Sequence, residues 1–67
     1  MKELATVYNA VGNNKAEVEY DYETGILKNL THKIDSKMSI KEYEVSKKST
    51  IKNAKEKGWE LTFETIS

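Results

Sequence analysis

The chain has 67 residues, in which 11 lysines balance 11 carboxylates, and it contains neither arginine nor cysteine. We therefore expect residues 1–67 to form a single domain, without disulfides, thiolate metal sites or cysteine nucleophiles. Zero net charge and the lack of guanidinium groups disfavour a dedicated nucleic-acid binder, which usually carries a positive excess and reads guanine through arginine.

The sequence shows no sign of a membrane or export segment. No apolar run approaches the roughly 18 residues of a membrane span. The first residues, MKELATVYNAV, carry Glu3 at once and then alternate, which is unlike a signal peptide. Because the absence of cysteine also fits a reducing compartment, we expect a cytoplasmic protein that does not contact membranes.

The N-terminal third of the chain predicts a hairpin of two strands. Residues 3–11 are rich in β-branched and aromatic types and predict a first strand that is apolar on both sides, with Val7 and Val11 on one face and Leu4 and Tyr8 on the other. Glycine and asparagine at positions 12–14 tolerate the positive φ of a tight turn at 12–15. Residues 16–22 then alternate regularly, which predicts a second strand with one wet face. That face carries four carboxylates: Glu17, Glu19, Asp21 and Glu23.

A second turn is predicted from Asp21 to Gly25, where Asp starts a type I turn and Gly supplies the left-handed residue. It would return the chain as a third strand over residues 26–32, with Glu19 facing Lys28. Ile26, Leu30 and Ile34 also fit a helical spacing, but the turn chemistry favours the strand.

Residues 40–45 allow two interpretations. They can form a short fourth strand with Tyr43 and Val45 inward, followed by a helix capped by Ser46. Alternatively, Ser39 and Glu42 form a capping box that would start one long helix ending at Lys57. Since Val45, Ser46, Ser49 and Thr50 are poor helix formers, the short strand is the preferred interpretation.

The C-terminal segment predicts the end of the helix and a last strand. Gly58 supplies the left-handed residue that commonly ends a helix. Trp59, Leu61 and Phe63 then alternate with polar residues, and we expect these three side chains to be buried as the nucleus of the core. The fold class is α+β: a small antiparallel sheet, a meander of four to five strands, packed against one helix in the order β-β-β-(β)-α-β.

Lysine density is the one chemical asymmetry of the chain. Residues 26–58 hold nine lysines against four carboxylates, whereas residues 1–25 hold two against five. Lys48, Lys52 and Lys55 follow helical spacing and share one exposed face. This face could bind an anionic partner, and the acidic strand face could bind a basic one, although both patterns are also typical of solvated surfaces.

No catalytic or metal-binding motif is present. His32 is the single histidine and lies in no catalytic motif. A flat strand face of carboxylates does not converge on a cation as a calcium loop does. The serines lie beside turns and helix starts, and the glycines are isolated. We therefore expect no enzyme activity, no metal and no cofactor.

These observations predict a non-catalytic protein-interaction module, such as a small inhibitor or an accessory protein of a mobile element. The tentative binding residues are Glu17, Glu19, Asp21, Glu23, Lys48, Lys52 and Lys55. The alternative is a nucleic-acid-binding domain that uses the helix lysines and sheet tyrosines. Its layout is similar to that of some integrase-type DNA-binding domains, but no residues match. A homodimer is also predicted, because one helix covers only one face of a sheet.

Overall fold

The computed structural model describes residues 1–9 and 14–66 of the chain. Its elements are β1 (Lys2–Asn9), β2 (Asn14–Asp21), β3 (Ile26–Asn29), β4 (Ile34–Lys37), α1 (Ile40–Lys57) and β5 (Glu60–Ile66). The predicted fold class and element order are confirmed. Val11 and the first half of the turn predicted at 12–15 lie outside the described residues.

The strands form one antiparallel sheet in the order β4-β3-β2-β1-β5, so that the last strand lies beside the first. The predicted turn after β2 is confirmed: the Gly25 amide donates to the Asp21 carbonyl, and Gly25 has a φ of 71°. Glu19 faces Lys28 in the register of β2 and β3, as expected. The third strand is shorter than predicted because the Asn29 side chain accepts from the amides of Thr31 and His32 and turns the chain.

The preferred strand at residues 40–45 is wrong, and so is the helix start at Ser46. The helix begins at Ile40 with Ser39 as its N-cap, and the reciprocal capping box with Glu42 is formed on both sides. Poor helix formers each cost only about 0.5 kcal/mol, and the cap offsets about 1 kcal/mol of that. In the helix Tyr43 is 4% exposed and stacks on the buried Tyr20 ring, and this packing stabilises the helical conformation.

The fourth strand lies earlier in the chain than predicted, at Ile34–Lys37. All its residues are exposed, so its sequence carries no alternation that could mark it. It is held by its pairing with β3 and by the Met38 amide, which donates to the Gly25 carbonyl at 2.8 Å. Its placement therefore follows from the turn chemistry of its neighbours.

The core is built on two tyrosines. Tyr20 of β2 is fully buried and Tyr43 of α1 is 4% exposed, and their rings stack at 4.1 Å with planes 9° apart. The Tyr20 hydroxyl donates to the Met38 carbonyl at 2.6 Å, which satisfies its polar end as burial requires. Within residues 1–9 and 14–66, Ala5 and Ala54 are the other buried residues.

The prediction that Trp59, Leu61 and Phe63 form the buried nucleus of the core overstated their burial. All three side chains are only half-buried, because α1 lies across the sheet instead of over this strand alone. Its first half packs on Tyr20 of β2, and its second half reaches β5 through Ile51 and Ala54. A depression remains on each flank of the helix.

Candidate functional site

The outer edge of β5 is unpaired among the described residues. One hydrogen bond fixes which of its backbone groups face outward. The Tyr22 amide donates to the Met1 carbonyl at 3.0 Å, one step before the first paired residues of β1 and β2. Because backbone groups in an antiparallel ladder alternate between the two sides of a strand, odd-numbered residues of β1 bond to β2. Even-numbered residues of β1 therefore bond to β5.

The same alternation continues through β5. Its even-numbered residues face even-numbered residues of β1 in the register, which runs from Lys2 opposite Ile66 to Tyr8 opposite Glu60. The odd-numbered residues, Leu61, Phe63 and Thr65, consequently point their amides and carbonyls away from β1. Three residues of β5 thus offer three donors and three acceptors to a further strand.

A depression of about 360 Å³ lies between this edge and the helix. Its lining residues come from the second half of α1 and from the start of β5: Ile51, Ala54, Lys55, Trp59, Leu61 and Phe63. The Lys57 ammonium lies over the Trp59 ring, 4.6 Å from its centre. The site is therefore mostly apolar, with positive charge at its rim.

Three predicted binding residues adjoin this depression. Lys48, Lys52 and Lys55, here called the lysine ridge, are exposed and form no ion pair with any described residue. Lys48 lies three positions before Ile51 and Lys55 four positions after it, so helical geometry places both beside Ile51. Lys48 and Lys55 therefore lie on the β5 side of the helix, and Lys52 lies between them on its outer side, opposite the buried Tyr43.

The acidic strand face has local partners instead. The Glu17 carboxylate lies 3.1 Å from the Lys15 ammonium, and that of Glu19 lies 3.7 Å from Lys2 on the neighbouring strand. These lysines flank the carboxylates on the face opposite the helix, so the stripe is a mixed-charge surface. The structure does not bring it near the lysine ridge.

The other two acidic candidates stabilise the chain around the second turn. Asp21 accepts from the amides of Glu23 and Thr24 at 2.9 and 3.4 Å, and the bond from Glu23, the larger contribution, helps to hold the pKa of Asp21 below its usual value. Glu23 lies beyond the end of β2 and pairs with the N-terminal ammonium at 3.4 Å. Both carboxylates thus have a structural role.

A polar network that no sequence pattern had indicated lies under the helix. The Glu3 carboxylate is 13% exposed and lies 2.8 Å from the Lys47 ammonium. The Tyr43 hydroxyl donates to it at 2.7 Å. Burial alone would raise the pKa of Glu3, but the hydrogen bonds from Lys47 and Tyr43 outweigh it and leave this pKa below its usual value. The bond to Glu3 also raises the pKa of Lys47.

This network could have been anticipated from the helical interpretation of residues 40–45. Tyr43 and Lys47 are four positions apart and share a helix face, which is also the face that carries Ala54. In the preferred interpretation Tyr43 belonged to a strand and Lys47 to a helix, so the spacing of four residues did not place them on a common face. Lys47 further lies 4.5 Å from the Phe63 ring centre, so it joins the helix to both β1 and β5.

The second depression, of about 200 Å³, lies on the opposite flank of the helix. Its floor is formed by side chains of the three inner strands, among them Val7, Ala16, Val18 and Leu27. Val7 therefore faces the helix side of the sheet, and Leu4 the open side. A volume of this size is below the roughly 300 Å³ at which small-molecule sites begin.

The described residues form no metal-binding cluster. His32 is exposed in the turn before β4, and within residues 1–9 and 14–66 no three His, Asp or Glu side chains gather as metal ligands. The helix described here is not apolar enough to cross a membrane.

Comparisons with known proteins add no assignment. No protein family, no curated protein and no solved structure matches the chain. Among the surfaces of the described residues, the β5 edge combines open backbone groups, an apolar depression and lysines without ion pairs.

Proposed function

We propose that this protein is a non-catalytic protein-interaction module that binds an extended segment of another protein as a sixth strand beside β5. The observation that carries the proposal is the open edge itself, where Leu61, Phe63 and Thr65 present unpaired backbone groups. Strand addition of this kind takes its affinity from main-chain hydrogen bonds and its specificity from pockets for alternate side chains.

The contrast between the two edges of the sheet supports the proposal. Proteins protect edge strands with shortness, proline, bulges or charged residues. The β4 edge is four residues long and carries Asp35 and Lys37. The β5 edge also carries two charged residues, Glu60 and Glu64, but it is seven residues long, ELTFETI, without proline or glycine, and its register with β1 is unbroken. Its greater length and unbroken register therefore favour β5 over β4 as the edge that pairs with an added strand.

The biological setting is part of the proposal. A small domain that occupies another protein's extended segment suits an inhibitor or an accessory protein, and the absence of cysteine from the sequence fits the cytoplasm. The apolar depression beside the helix would bind one side chain of the partner. In many interfaces a few side chains buried in such pockets contribute most of the binding free energy.

Proline scanning tests the edge directly. The Thr65 amide points outward, so Thr65→Pro removes a donor needed by an added strand while it leaves the β1 ladder intact. Thr65→Ala is the matched control. We expect peptides selected on the wild-type protein from a library of extended sequences to lose binding to Thr65→Pro and to keep it on Thr65→Ala. Equal binding to both variants, each folded by circular dichroism, would contradict the proposal.

Hydrogen exchange gives a second measurement. In the free protein, the amides of Leu61, Phe63 and Thr65 should exchange much faster than those of Thr62 and Glu64, which face β1. Bound peptide should protect the three outward amides. Protection confined to residues elsewhere in the sheet would place the binding site at another surface.

Nucleic-acid binding is the second candidate, and the unpaired lysine ridge favours it. Three phosphate contacts would give a slope of about −2.7 in the logarithm of affinity against the logarithm of salt concentration for duplex DNA. Titration of bulk DNA and RNA at low and raised salt measures this slope. A flat response would leave the protein-interaction module as the only candidate.

The predicted homodimer concerns the open face of the sheet. Leu4 lies there between Glu19 and Glu64 in the register, so Leu4→Lys places a positive charge between two carboxylates and should be tolerated by a monomer. If the face is a dimer interface, Leu4→Lys should convert a dimer into a monomer in sedimentation velocity. A wild-type species of 7.7 kDa, unchanged on dilution, would exclude the dimer.

A further inference from the structure

We infer that the segment bound at the β5 edge is acidic on its helix-facing side, with an apolar residue between two carboxylates. This inference rests on the proposed function and names the chemistry of the partner at the same site. It depends on the relation between the open edge and the lysine ridge.

The side-chain direction of an added strand is fixed by the residues it pairs with. Residues directly opposite one another on neighbouring strands point to the same face of a sheet. Leu61 and Phe63 point into the depression beneath the helix, so the partner residues opposite them also face the helix. Those positions lie next to Ile51 and the lysine ridge.

The spacing of the charges fits an extended peptide. Lys48 and Lys52 are about 6 Å apart along the helix axis, and Lys55 lies about 4.5 Å further on, at 1.5 Å per residue. Same-face residues of a strand repeat every 6.6–6.8 Å or so. Carboxylates four positions apart on a strand are about 13 Å apart, which exceeds the distance of about 10.5 Å between Lys48 and Lys55 along the helix axis by only about 3 Å. The long lysine side chains can span this difference, so each carboxylate can lie beside one of these two lysines.

The apolar position follows from the same geometry. The depression is lined mainly by Ile51, Trp59, Leu61 and Phe63, and about 360 Å³ accommodates one large aliphatic or aromatic side chain. On the opposite face β5 carries Glu60 and Glu64, which disfavour carboxylates there. The preferred segment thus alternates: acidic or apolar residues toward the helix, neutral or basic residues on the other side.

A second copy of this chain does not meet these requirements. Its own β5 would turn Leu61, Phe63 and Thr65 toward the helix side, and none of these residues is acidic. Two-fold pairing would also bring a second lysine ridge onto the same face of the joined sheet, where like charges repel. The occupant is therefore a different chain with carboxylates at alternate positions.

The test compares two blocked peptides of equal length and strand propensity. The first is Thr-Glu-Thr-Phe-Thr-Glu-Thr and the second is Thr-Lys-Thr-Phe-Thr-Lys-Thr, each with a fluorescent label, titrated at low salt. We expect the acidic peptide to bind at least tenfold more tightly to the wild-type protein. The triple variant Lys48→Glu, Lys52→Glu, Lys55→Glu changes only exposed side chains and should reverse the preference.

The outcomes separate this inference from the proposed function. If the wild-type protein binds both peptides equally and Thr65→Pro binds neither, strand addition at the β5 edge is supported and the acidic partner is overturned. Equal affinity of the acidic peptide for Thr65→Pro and Thr65→Ala would overturn strand addition. Binding of neither peptide, or tighter binding of a single-stranded oligonucleotide of seven nucleotides, would overturn the inference as well.

Discussion

The hydroxyl group of Tyr43 offers the sharpest test of the packing beneath the helix. Tyr43→Phe retains the ring that stacks on Tyr20 and removes only the hydrogen bond to the Glu3 carboxylate, 2.7 Å long. Lys47 still contacts that carboxylate, so the charge is not left without a partner. The substitution therefore isolates one charged hydrogen bond.

The expected cost is about 1.5–2 kcal/mol, the lower part of the range for hydrogen bonds to charged groups. For a domain of this size that corresponds to a decrease in Tm of roughly 6–16 °C. The total free energy of unfolding expected for a chain of this length is only about 3–10 kcal/mol. A single hydroxyl group thus supports a large part of the stability.

Thermal and urea denaturation, followed by far-UV circular dichroism, measure the effect. Tyr20→Phe is the matched control, since its hydroxyl donates to a neutral carbonyl, that of Met38, and should cost about 1 kcal/mol. A Tyr43→Phe variant no less stable than Tyr20→Phe would refute the reasoning.

Acid adds a second criterion for the same pair of variants. The pKa of Glu3 is lowered in the folded protein from a reference value of 4.5. Its stabilising contribution is therefore present above that reference value and is lost as the pH falls through the lower, folded pKa. The difference between wild type and Tyr43→Phe should shrink below pH 4.5 or so. The difference for Tyr20→Phe should stay constant, and equal pH dependence in the two variants would exclude a role for Glu3.

Three further changes probe other parts of the fold. Gly58 has a φ of 70° with open space around it. Gly58→Val should therefore lower the free energy of unfolding by about 2 kcal/mol or more through backbone strain, and Gly58→Asn by clearly less. Equal melting temperatures of the two variants would contradict a left-handed cap. Ser39→Ala should cost about 1 kcal/mol by loss of the capping box, seen in urea denaturation, and no change would restore Ser46 as the helix start. Ala16→Ile should stabilise the protein by about 0.5–2 kcal/mol, because it fills the smaller depression, and a lower Tm would show that this depression is already closed.

The sequence predicted the elements whose signals are local. Three such elements are confirmed: a second strand, predicted at residues 16–22 and observed at Asn14–Asp21, the turn from Asp21 to Gly25 and the cap at Gly58. Each depends on a few adjacent residues. Residues 40–45 were predicted wrongly because only their helix propensity and the capping box were compared, without the term for tertiary packing. That term is the burial of Tyr43 against Tyr20, a contact between distant parts of the chain.

The candidate site was predictable only in part. The spacing of Lys48, Lys52 and Lys55 showed that they share a face, but not that this face adjoins an open strand edge. That relation requires the order of strands in the sheet, which pairing patterns do not reveal in a single sequence. In the sequence, the carboxylates of the second strand formed a charged face as regular as that of the three helix lysines. Their ion pairs with Lys2 and Lys15 became visible only from the register.

The position of β5 beside β1 has a consequence for how the chain reaches this structure. Lys2 pairs with Ile66, so almost the entire described chain must be enclosed in one loop before these two strands meet, at an entropic cost that local hairpins avoid. Non-local pairing of this kind slows folding relative to helical domains of equal size. The hairpins of β2, β3 and β4 can form early, but the second half of the helix has no surface to pack on until β5 arrives. Until then β1 is the exposed edge of the sheet, and once the two strands pair the exposed edge is β5.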